Sequence, residues 1–384
     1  MAWGATNIGF VKTDILIIGG GVIGLSIARE LHRSGVRDIT VVDKRTCGRE
    51  ASWAAAGMLS PQAETDEIGP FFHLCSRSRD MYPQFTAELL NDTGVDIELD
   101  RTGTLCLAFN DEDANELIAR SEWQRGAGLA VDSLTADELL GIEPHLSPHV
   151  VCGLRFPNDW QVENRRLVDA LELFAELNGI RVLEHTPVLN LIVQNERVTG
   201  AETVDGPIEA GQTVLATGAW TSLINLGDLR VPVAVEPVRG QIVCFESEPG
   251  TLKHIVYTHR AYLVPRRDGR ILVGSTSERV GFDASTTEEA ITELVNAGND
   301  ILPAAELRVV DKWAGLRPAA VDELPILGTI PGAEGLTVAT GHYRNGILLA
   351  PVTGKIVADR IVNEVADDAF KTFGPQRFAA AAAV

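Results

Sequence analysis

Cysteine is scarce in this chain. Five occur in 384 residues, Cys47, Cys75, Cys106, Cys152 and Cys244, an odd number with no CxxC spacing. That fits a reducing cytoplasm better than a disulfide framework or a cysteine zinc site. Basic charge is also in short supply: 33 Lys plus Arg stand against 53 Asp plus Glu, a net charge of −20. Nucleic acid and anionic membranes are poor partners for such a chain, because their phosphates would be repelled. A small anionic substrate remains compatible, since a local pair of arginines overrides the global field. Long apolar runs are missing. No stretch approaches the ~18 residues of a membrane span, and Met1 to Phe10 lacks the basic-then-apolar pattern of a signal peptide. Metal-ligand spacing is missing too. His145 and His149 have Pro144 and Pro148 beside them, which break any helix that would align the pair, so a loop and no metal is expected. There is no internal repeat and no low-complexity linker.

What is present begins at Asp14-Ile-Leu-Ile-Ile-Gly-Gly-Gly-Val-Ile-Gly24. Ile15 to Ile18 is continuous, apolar and β-branched, as a buried strand requires. Gly19, Gly21 and Gly24 then make a tight turn, admit a pyrophosphate against backbone, and let the next helix pack on the strand. That helix is expected over Leu25 to Ser34, ended by Gly35, with its N-terminal N–H groups and dipole favouring phosphate. Asp38 to Val42 reads as a second strand, and Asp43 follows where a ribose hydroxyl is gripped, about 20 residues after the glycines. Strand, turn, helix, strand and acid in that order define a dinucleotide site. The motif alone does not separate NAD from FAD.

Farther on, Ala51-Ser-Trp-Ala-Ala-Ala-Gly-Met58 is a run of small residues against which a flat ring could lie; tight helix–loop packing would use the same residues. Helices are expected over 70–92, 111–126 (apolar side Leu117, Ile118 and Trp123), 164–177 capped by Asn164, and 286–297. Strands are expected at 103–109, 180–183, 188–193, 213–216, 241–245, 261–265, 271–274 and 337–340, with several in the span 231–280 and a hairpin turn at Arg266-Arg-Asp-Gly269. An apolar helix follows from Ile347, and the alanine-rich tail Phe378 to Val384 should fray. The length exceeds what one compact core usually holds. The alternation suggests a nucleotide domain built from three separated pieces, with a mostly antiparallel sheet inserted and roofing a crevice.

Three further segments choose among cofactors: Gly315-Leu-Arg-Pro318, Gly341-His-Tyr-Arg-Asn-Gly-Ile-Leu-Leu-Ala-Pro351, and Tyr262-Leu-Val-Pro-Arg266 leading to Gly274-Ser-Thr-Ser277. With the glycine turn and the small-residue run, they resemble the FAD-dependent amine oxidase family related to D-amino acid oxidase, and within it the glycine oxidase branch that serves thiamine biosynthesis in many bacteria. The resemblance runs from about Ile15 to Ile361. It implies an α/β fold: an FAD-binding Rossmann-like domain (1–90, 150–228 and 311–370) with an inserted antiparallel-sheet substrate domain (91–149 and 229–310). The residues themselves agree. A helix starting near Asn345 to Leu348 can aim its partial positive charge at the edge of a flavin ring, where the reduced form gathers negative charge.

By resemblance, the cofactor contacts are Gly19, Gly21, Val22, Ile23 and Gly24 at the diphosphate, and Asp43 and Lys44 at the ribose. Ala51, Ser52, Ala56, Gly57 and Met58 lie near the flavin, Val188 at the adenine, and His342, Tyr343, Arg344, Asn345, Gly346, Ile347 and Leu348 at the ring. An α-amino acid has one fixed handle, its carboxylate, and an arginine offers it a planar fork of donors. The family clamps it with the arginine of GLRP, here Arg317, aided by Tyr262, while Arg344 sits beside the amine. The implied reaction moves a hydride from Cα of a neutral amine to flavin N5, so positioning and electrostatics carry it and no general base is named. The imino acid then hydrolyses to ammonia and an oxo acid or passes to thiazole synthase, and dioxygen becomes hydrogen peroxide.

Two positions depart from the family. Ser277 stands where many glycine oxidases carry methionine in the pocket wall, which implies a roomier pocket. Asp43 replaces the more usual glutamate, shorter but still acidic. No cysteine follows Cys244, so a non-covalent cofactor is expected. The family implies a cytoplasmic homotetramer. A D-amino acid dehydrogenase feeding a quinone and a non-catalytic flavin-binding assembly subunit are the other readings; retention of Arg317, Arg344 and Tyr262 weighs against the latter.

Overall fold

The structure is a computed structural model describing residues 11–226, 234–274, 276–330 and 332–378. The start of the 231–280 span, Ser275 of the Gly274–Ser277 segment, the domain boundary set at 228/229 and the tail beyond residue 378 lie outside the described residues.

The chain begins with β1 (Val11–Ile18), α1 (Val22–Arg33), β2 (Ile39–Val42), α2 (Ala51–Ala54), β3 (Met58–Leu59) and α3 (Pro70–Thr93). Next come β4 (Thr104–Ala108), α4 (Asp111–Gly126), β5 (Asp132–Thr135), α5 (Ala136–Ile142), β6 (Cys152–Phe156), β7 (Trp160–Gln161) and α6 (Asn164–Leu177). The strands β8 (Arg181–Leu183), β9 (Val188–Gln194), β10 (Arg197–Thr203) and β11 (Gly206–Leu215) follow. After them stand β12 (Val235–Glu246), β13 (Ile255–Tyr257), β14 (Tyr262–Pro265), β15 (Arg270–Gly274) and α7 (Glu288–Ile301). The last elements are β16 (Arg308–Ala320), β17 (Ile326–Ile330), β18 (Ala333–Thr340), α8 (Gly346–Asn363) and α9 (Asp368–Thr372).

Two large sheets result. The first runs β17-β18-β10-β11-β1-β2-β8, with β9 on β10; β1 is parallel to both β11 and β2, as a dinucleotide fold requires. Side chains of β1 alternate between two cores. Ile15 and Ile17 pack with helices α1, α3, α6 and α8, whereas Leu16 and Ile18 pack with β10 and β18 residues such as Val198 and Val338. A strand buried on both faces reads as an unbroken apolar run, and each such side chain contributes about 1.5–3 kcal/mol.

The second sheet, β16-β12-β15-β14-β13-β4-β6-β5, is antiparallel except where β13 meets β4. It too has two faces. Val243, Phe245, Leu263 and Val273 pack on α7 through Leu294 and Ala297. Ile242, Cys244, Tyr262, Val264 and Leu272 face the other way and meet Ala56 and Met58 of the small-residue run. The cofactor loop and the second sheet therefore share one apolar seam.

Local differences from the sequence reading have identifiable causes. β6 and β16, assigned by sequence to the nucleotide domain, hydrogen-bond in the second sheet, to β4 and β12. The boundaries drawn at 150 and 311 accordingly move past these strands. Glu163, not Asn164, caps α6, by accepting the Arg166 N–H at 3.1 Å. Asn164 is buried instead, with another task described below. On α4, Ile118 is exposed, because the inward side is set by Ser121 and Gln124.

Candidate active site

A cleft of about 1940 Å³, counting its open mouth, runs from the glycine turn to Arg317 and Arg344. Two helix N-termini open onto it. α1 contributes Gly21, Val22 and Ile23, and α8 contributes Gly346 and Ile347. The two helices cross closely because residue 354 is glycine: a Cβ there would lie 2.8 Å from the Ser26 carbonyl oxygen. Pro351 in α8 cannot donate to the carbonyl of Ile347, four residues earlier. The buried hydroxyl of Tyr82 on α3 donates to that carbonyl instead, and Ser78 donates to Leu348 O at 2.6 Å.

The glycine turn is forced by contact. Gly19 has φ of 108°, and a Cβ there would lie 2.3 Å from the Ala216 carbonyl oxygen; at Gly24 it would lie 1.9 Å from Gly19 O. Gly21 and Gly346 differ. A Cβ at Gly21 would meet only Ser52 Oγ at 3.4 Å, and one at Gly346 only His342 Cβ at 3.9 Å, so each would project into the cleft. That is backbone bared for a large ligand, and it suits a dinucleotide with a flat ring. Asp43 accepts the N–H of Gly20 at 2.8 Å and of Arg45 at 2.9 Å. Burial raises its pKa above the ordinary carboxylate value, and those two hydrogen bonds pull it back. Lys44 lies over the Trp220 ring at 3.2 Å, and Val188 also lines this end. Ser52 accepts the Val22 N–H at 3.0 Å, capping α1 from a distant segment.

The small-residue run is held from behind by buried polar groups. Asn164 donates to the carbonyls of Ser52 at 2.9 Å and Trp53 at 3.1 Å. Arg266, buried at the base of the sheet, donates to Ala56 O at 2.8 Å, Asn164 Oδ1 at 3.1 Å and Gln161 Oε1 at 2.8 Å. Gly57, at φ of 75°, fits against Val162, whose carbonyl oxygen a Cβ would approach to 2.1 Å.

The opposite wall is a product of strand register. On β16, Trp313, Gly315 and Arg317 share one face, since side chains alternate. Trp313 donates to Ala54 O at 3.0 Å. Gly315 admits α2, where a Cβ would lie 2.5 Å from the Ala54 Cβ. Arg317 reaches the cleft over Gly240, where a Cβ would lie 2.2 Å from its Nη2, and its Nη1 donates to Thr276 O at 3.0 Å. Next to it a row crosses four strands in register: Ile242, Gly274, Tyr262 and Tyr257. The Tyr262 ring lies over Gly274, where a Cβ would be 2.6 Å from the hydroxyl oxygen, and stacks with Tyr257 at 6.4 Å.

Arg344 closes the mouth. Its Nη2 donates to Glu64 Oε1 and to the Tyr257 hydroxyl, both at 3.2 Å. The Glu64 carboxylate raises the Arg344 pKa further, so the guanidinium stays charged. Burial pushes Tyr257 up to about 12, aided by Glu64, so its phenol stays protonated. His342 lines the cleft but is neutral: burial drives its pKa down to about 3, and Nε2 lies 3.1 Å from Thr353 Oγ1.

Most residues singled out by sequence line this single cleft: Gly19, Gly21, Val22, Ile23, Asp43, Lys44, Ala51, Ser52, Ala56, Gly57, Met58, Val188, Tyr262, Arg317, His342, Tyr343, Arg344, Gly346 and Ile347. Four lie behind it. Gly24 is the contact of α1 with the turn, and Leu348 is buried in the helix core. Asn345 precedes the α8 start without a side-chain cap. Ser277 is exposed and touches the lining through Tyr343, hydroxyl to hydroxyl at 3.2 Å. Sequence reasoning missed Glu64, Tyr257 and Gly240, and it gave Gly274 no role beyond opening the Gly274–Ser277 segment. The first three belong to no local motif, and only the tertiary fold brings them here.

Glycine-bared helix termini facing an apolar, arginine-bearing wall define a dinucleotide-dependent redox enzyme with a second sheet over its cofactor. The chain belongs to the FAD dependent oxidoreductase family typified by D-amino acid oxidase, whose sequence model matches residues 14–360. It is 37% identical to the glycine oxidase of Pseudomonas putida, over 91% of this chain and 94% of that one. It is 36% identical to the bifunctional protein ThiO/ThiG of a Synechocystis strain, covering 95% of this chain but 54% of that protein, so it spans about half the length of such relatives. Among solved structures, glycine oxidase from Geobacillus kaustophilus superposes with a TM-score of 0.88, at 35% identity, over 96% of this chain and 99% of that one. Among the described residues, no helix is long and apolar enough to cross a membrane.

Proposed function

We propose that this chain is a glycine oxidase, deaminating glycine and small amines such as sarcosine and short D-amino acids. Arg317 carries the reading: its guanidinium is delivered over Gly240 into the cleft that Tyr262 and Met58 also line. FAD, held by the α1 turn, Asp43, the small-residue run and the α8 terminus, supplies the two-electron acceptor when bound. Arg317 binds the substrate carboxylate in a forked pair, and the Tyr262 hydroxyl adds a donor. Arg344 stands near the amine, where its fixed positive charge favours the neutral form from which electrons flow toward the imine. Ile242, Met58 and the stacked tyrosines exclude water and fix Cα.

The product is an imino acid, which hydrolyses to glyoxylate or another oxo acid plus ammonia, with dioxygen reduced to hydrogen peroxide. Fusion of similar chains into ThiO/ThiG proteins supports a hand-off of iminoacetate to thiazole synthase for thiamine. Among the described residues no cysteine lines the cleft, which supports non-covalent FAD. A cytoplasmic homotetramer completes the reading. The test is peroxide release by purified, FAD-loaded protein from glycine, sarcosine, N-ethylglycine, D-alanine and D-proline. Turnover of glycine or sarcosine with stoichiometric peroxide is the expected result. Turnover only with an added quinone would replace it with a dehydrogenase, and a protein that binds no flavin would end it.

A further inference from the structure

Glu64 is placed with more care than a lone surface acid. Its carboxylate lines the same cleft as Arg317, with the side chain 14% exposed and Oε1 3.2 Å from Arg344 Nη2. The segment carrying it is clamped on both sides. Asp159, fully buried, accepts the N–H groups of Gln62 at 3.1 Å and Ala63 at 2.8 Å. Arg120 Nη1 donates to the carbonyls of Gln62, Ala63 and Thr65, at 3.2, 3.2 and 2.8 Å. Gln62 Nε2 reaches Gln124 Oε1 at 3.0 Å. The backbone on both sides of Glu64 is thus held in place, which keeps its carboxylate within reach of Arg344.

The charges at this end of the cleft can be counted among its described lining residues. Arg317 and Arg344 are positive and Glu64 is negative, while Asp43, Lys44 and Glu50 lie at the nucleotide end. Among these described side chains positive charges outnumber negative ones by one, which suits a substrate with one carboxylate and a neutral amine. A second carboxylate would meet a guanidinium already occupied and a fixed carboxylate beside it, and like charges in a partly desolvated site repel strongly.

We infer that Glu64 is a specificity-determining residue: by holding Arg344 it restricts the enzyme to amines bearing a single carboxylate and rejects dicarboxylic amines. This rests on the oxidation of small amino acids proposed above. Rejection is built from a repulsive element and not from a missing contact.

Sarcosine and iminodiacetate test it, since they share a secondary amine and differ by one carboxylate. Peroxide release is measured with FAD-loaded wild type, E64Q, E64D and E64Q/R344Q. In E64Q the ratio of kcat/KM for iminodiacetate over sarcosine should rise roughly a hundredfold, mainly through KM. E64D, which keeps the charge, should hold the wild-type ratio, and E64Q/R344Q, which lacks the freed cation, should lose the gain. Calorimetric binding of acetate and malonate to the same proteins gives a second readout that needs no turnover, with malonate gaining on acetate in E64Q alone. A wild type that oxidises neither amine overturns the glycine-oxidase reading while the acetate and malonate titrations still decide the role of Glu64. A ratio in E64Q within about threefold of wild type, or a gain shared by E64D or by the double variant, overturns the inference.

Discussion

The two walls of the cleft are built by different rules. On the nucleotide side, backbone is the working material: Gly21 and Gly346 bare it to the cleft at two helix N-termini, and the lining positions fall in short local runs within 18–23, 50–58 and 342–347. On the substrate side, side chains do the work, and each comes from a different strand. Arg317 is on β16, Gly240 on β12, Gly274 on β15, Tyr262 on β14 and Tyr257 on β13. A site of local backbone runs stands or falls with each run's fold, whereas a register-built site can be damaged one strand at a time.

The largest contrast should come from Gly24→Ala. The added methyl meets a backbone oxygen at 1.9 Å, which cannot rotate away. A cost of about 3 kcal/mol or more is expected, with loss of the visible flavin bands. A yellow variant with a wild-type Tm would remove the distinction between the walls. Arg317→Ala comes next and belongs to the other wall. It should keep its flavin yet lose about 2–5 kcal/mol in kcat/KM for glycine, read by steady-state kinetics. Equal loss of flavin would show that the two walls are not separable.

Asp159→Asn probes the clamp behind Glu64. Burial pushes Asp159 up to about 7, against the hydrogen bonds that lower it. An acid raised in the folded state contributes stability while protonated, fully below its unfolded value near ~3.9, and loses it as pH rises through about 7. Unfolding free energy should therefore decline across that window in wild type and run flatter in the variant. The amide also offers one acceptor to two N–H donors, for a further cost of about 1–3 kcal/mol. Identical pH profiles from denaturant melts would disprove the burial argument.

Gly240→Ala should be milder. Its methyl meets the far end of a flexible side chain, so the fold survives and KM for glycine rises by the equivalent of about 1–2 kcal/mol as Arg317 is displaced. The smallest effect is expected from Ser277→Met. Being exposed and outside the lining, it should change the preference between glycine and D-alanine by no more than about 0.5 kcal/mol. A larger shift in the substrate panel would put Ser277 back in the pocket wall.

The same contrast explains what the sequence could reveal. Strand, turn and helix at Ile15 to Ser34 were legible because the pattern that marks them is local; both elements start earlier than the pattern suggested, β1 at Val11 and α1 at Val22. Arg317 and Arg344 were reachable through GLRP and GHYRNG, which are motifs and not physics. The strand that carries Arg317 was not foreseen: its first half is exposed and alternates no better than a loop. Glu64 and Tyr257 had no local mark at all. An acid in a loop and a tyrosine in a strand are ordinary until register and a distant arginine join them. Asn164 misled for the opposite reason, since a residue type favoured at helix caps was drawn inward by the Ser52 and Trp53 carbonyls.

Gly315 and Arg317 stand two residues apart on one strand, the first against α2 of the cofactor loop and the second in the cleft. Their separation is a backbone constant of roughly 6.6 Å, two strand steps, and not a matter of packing. The strand thus works as a gauge block between cofactor and substrate. The spacing between the two anchor points is then set by covalent geometry, and only the Arg317 side chain is left to adjust the reach across the cleft.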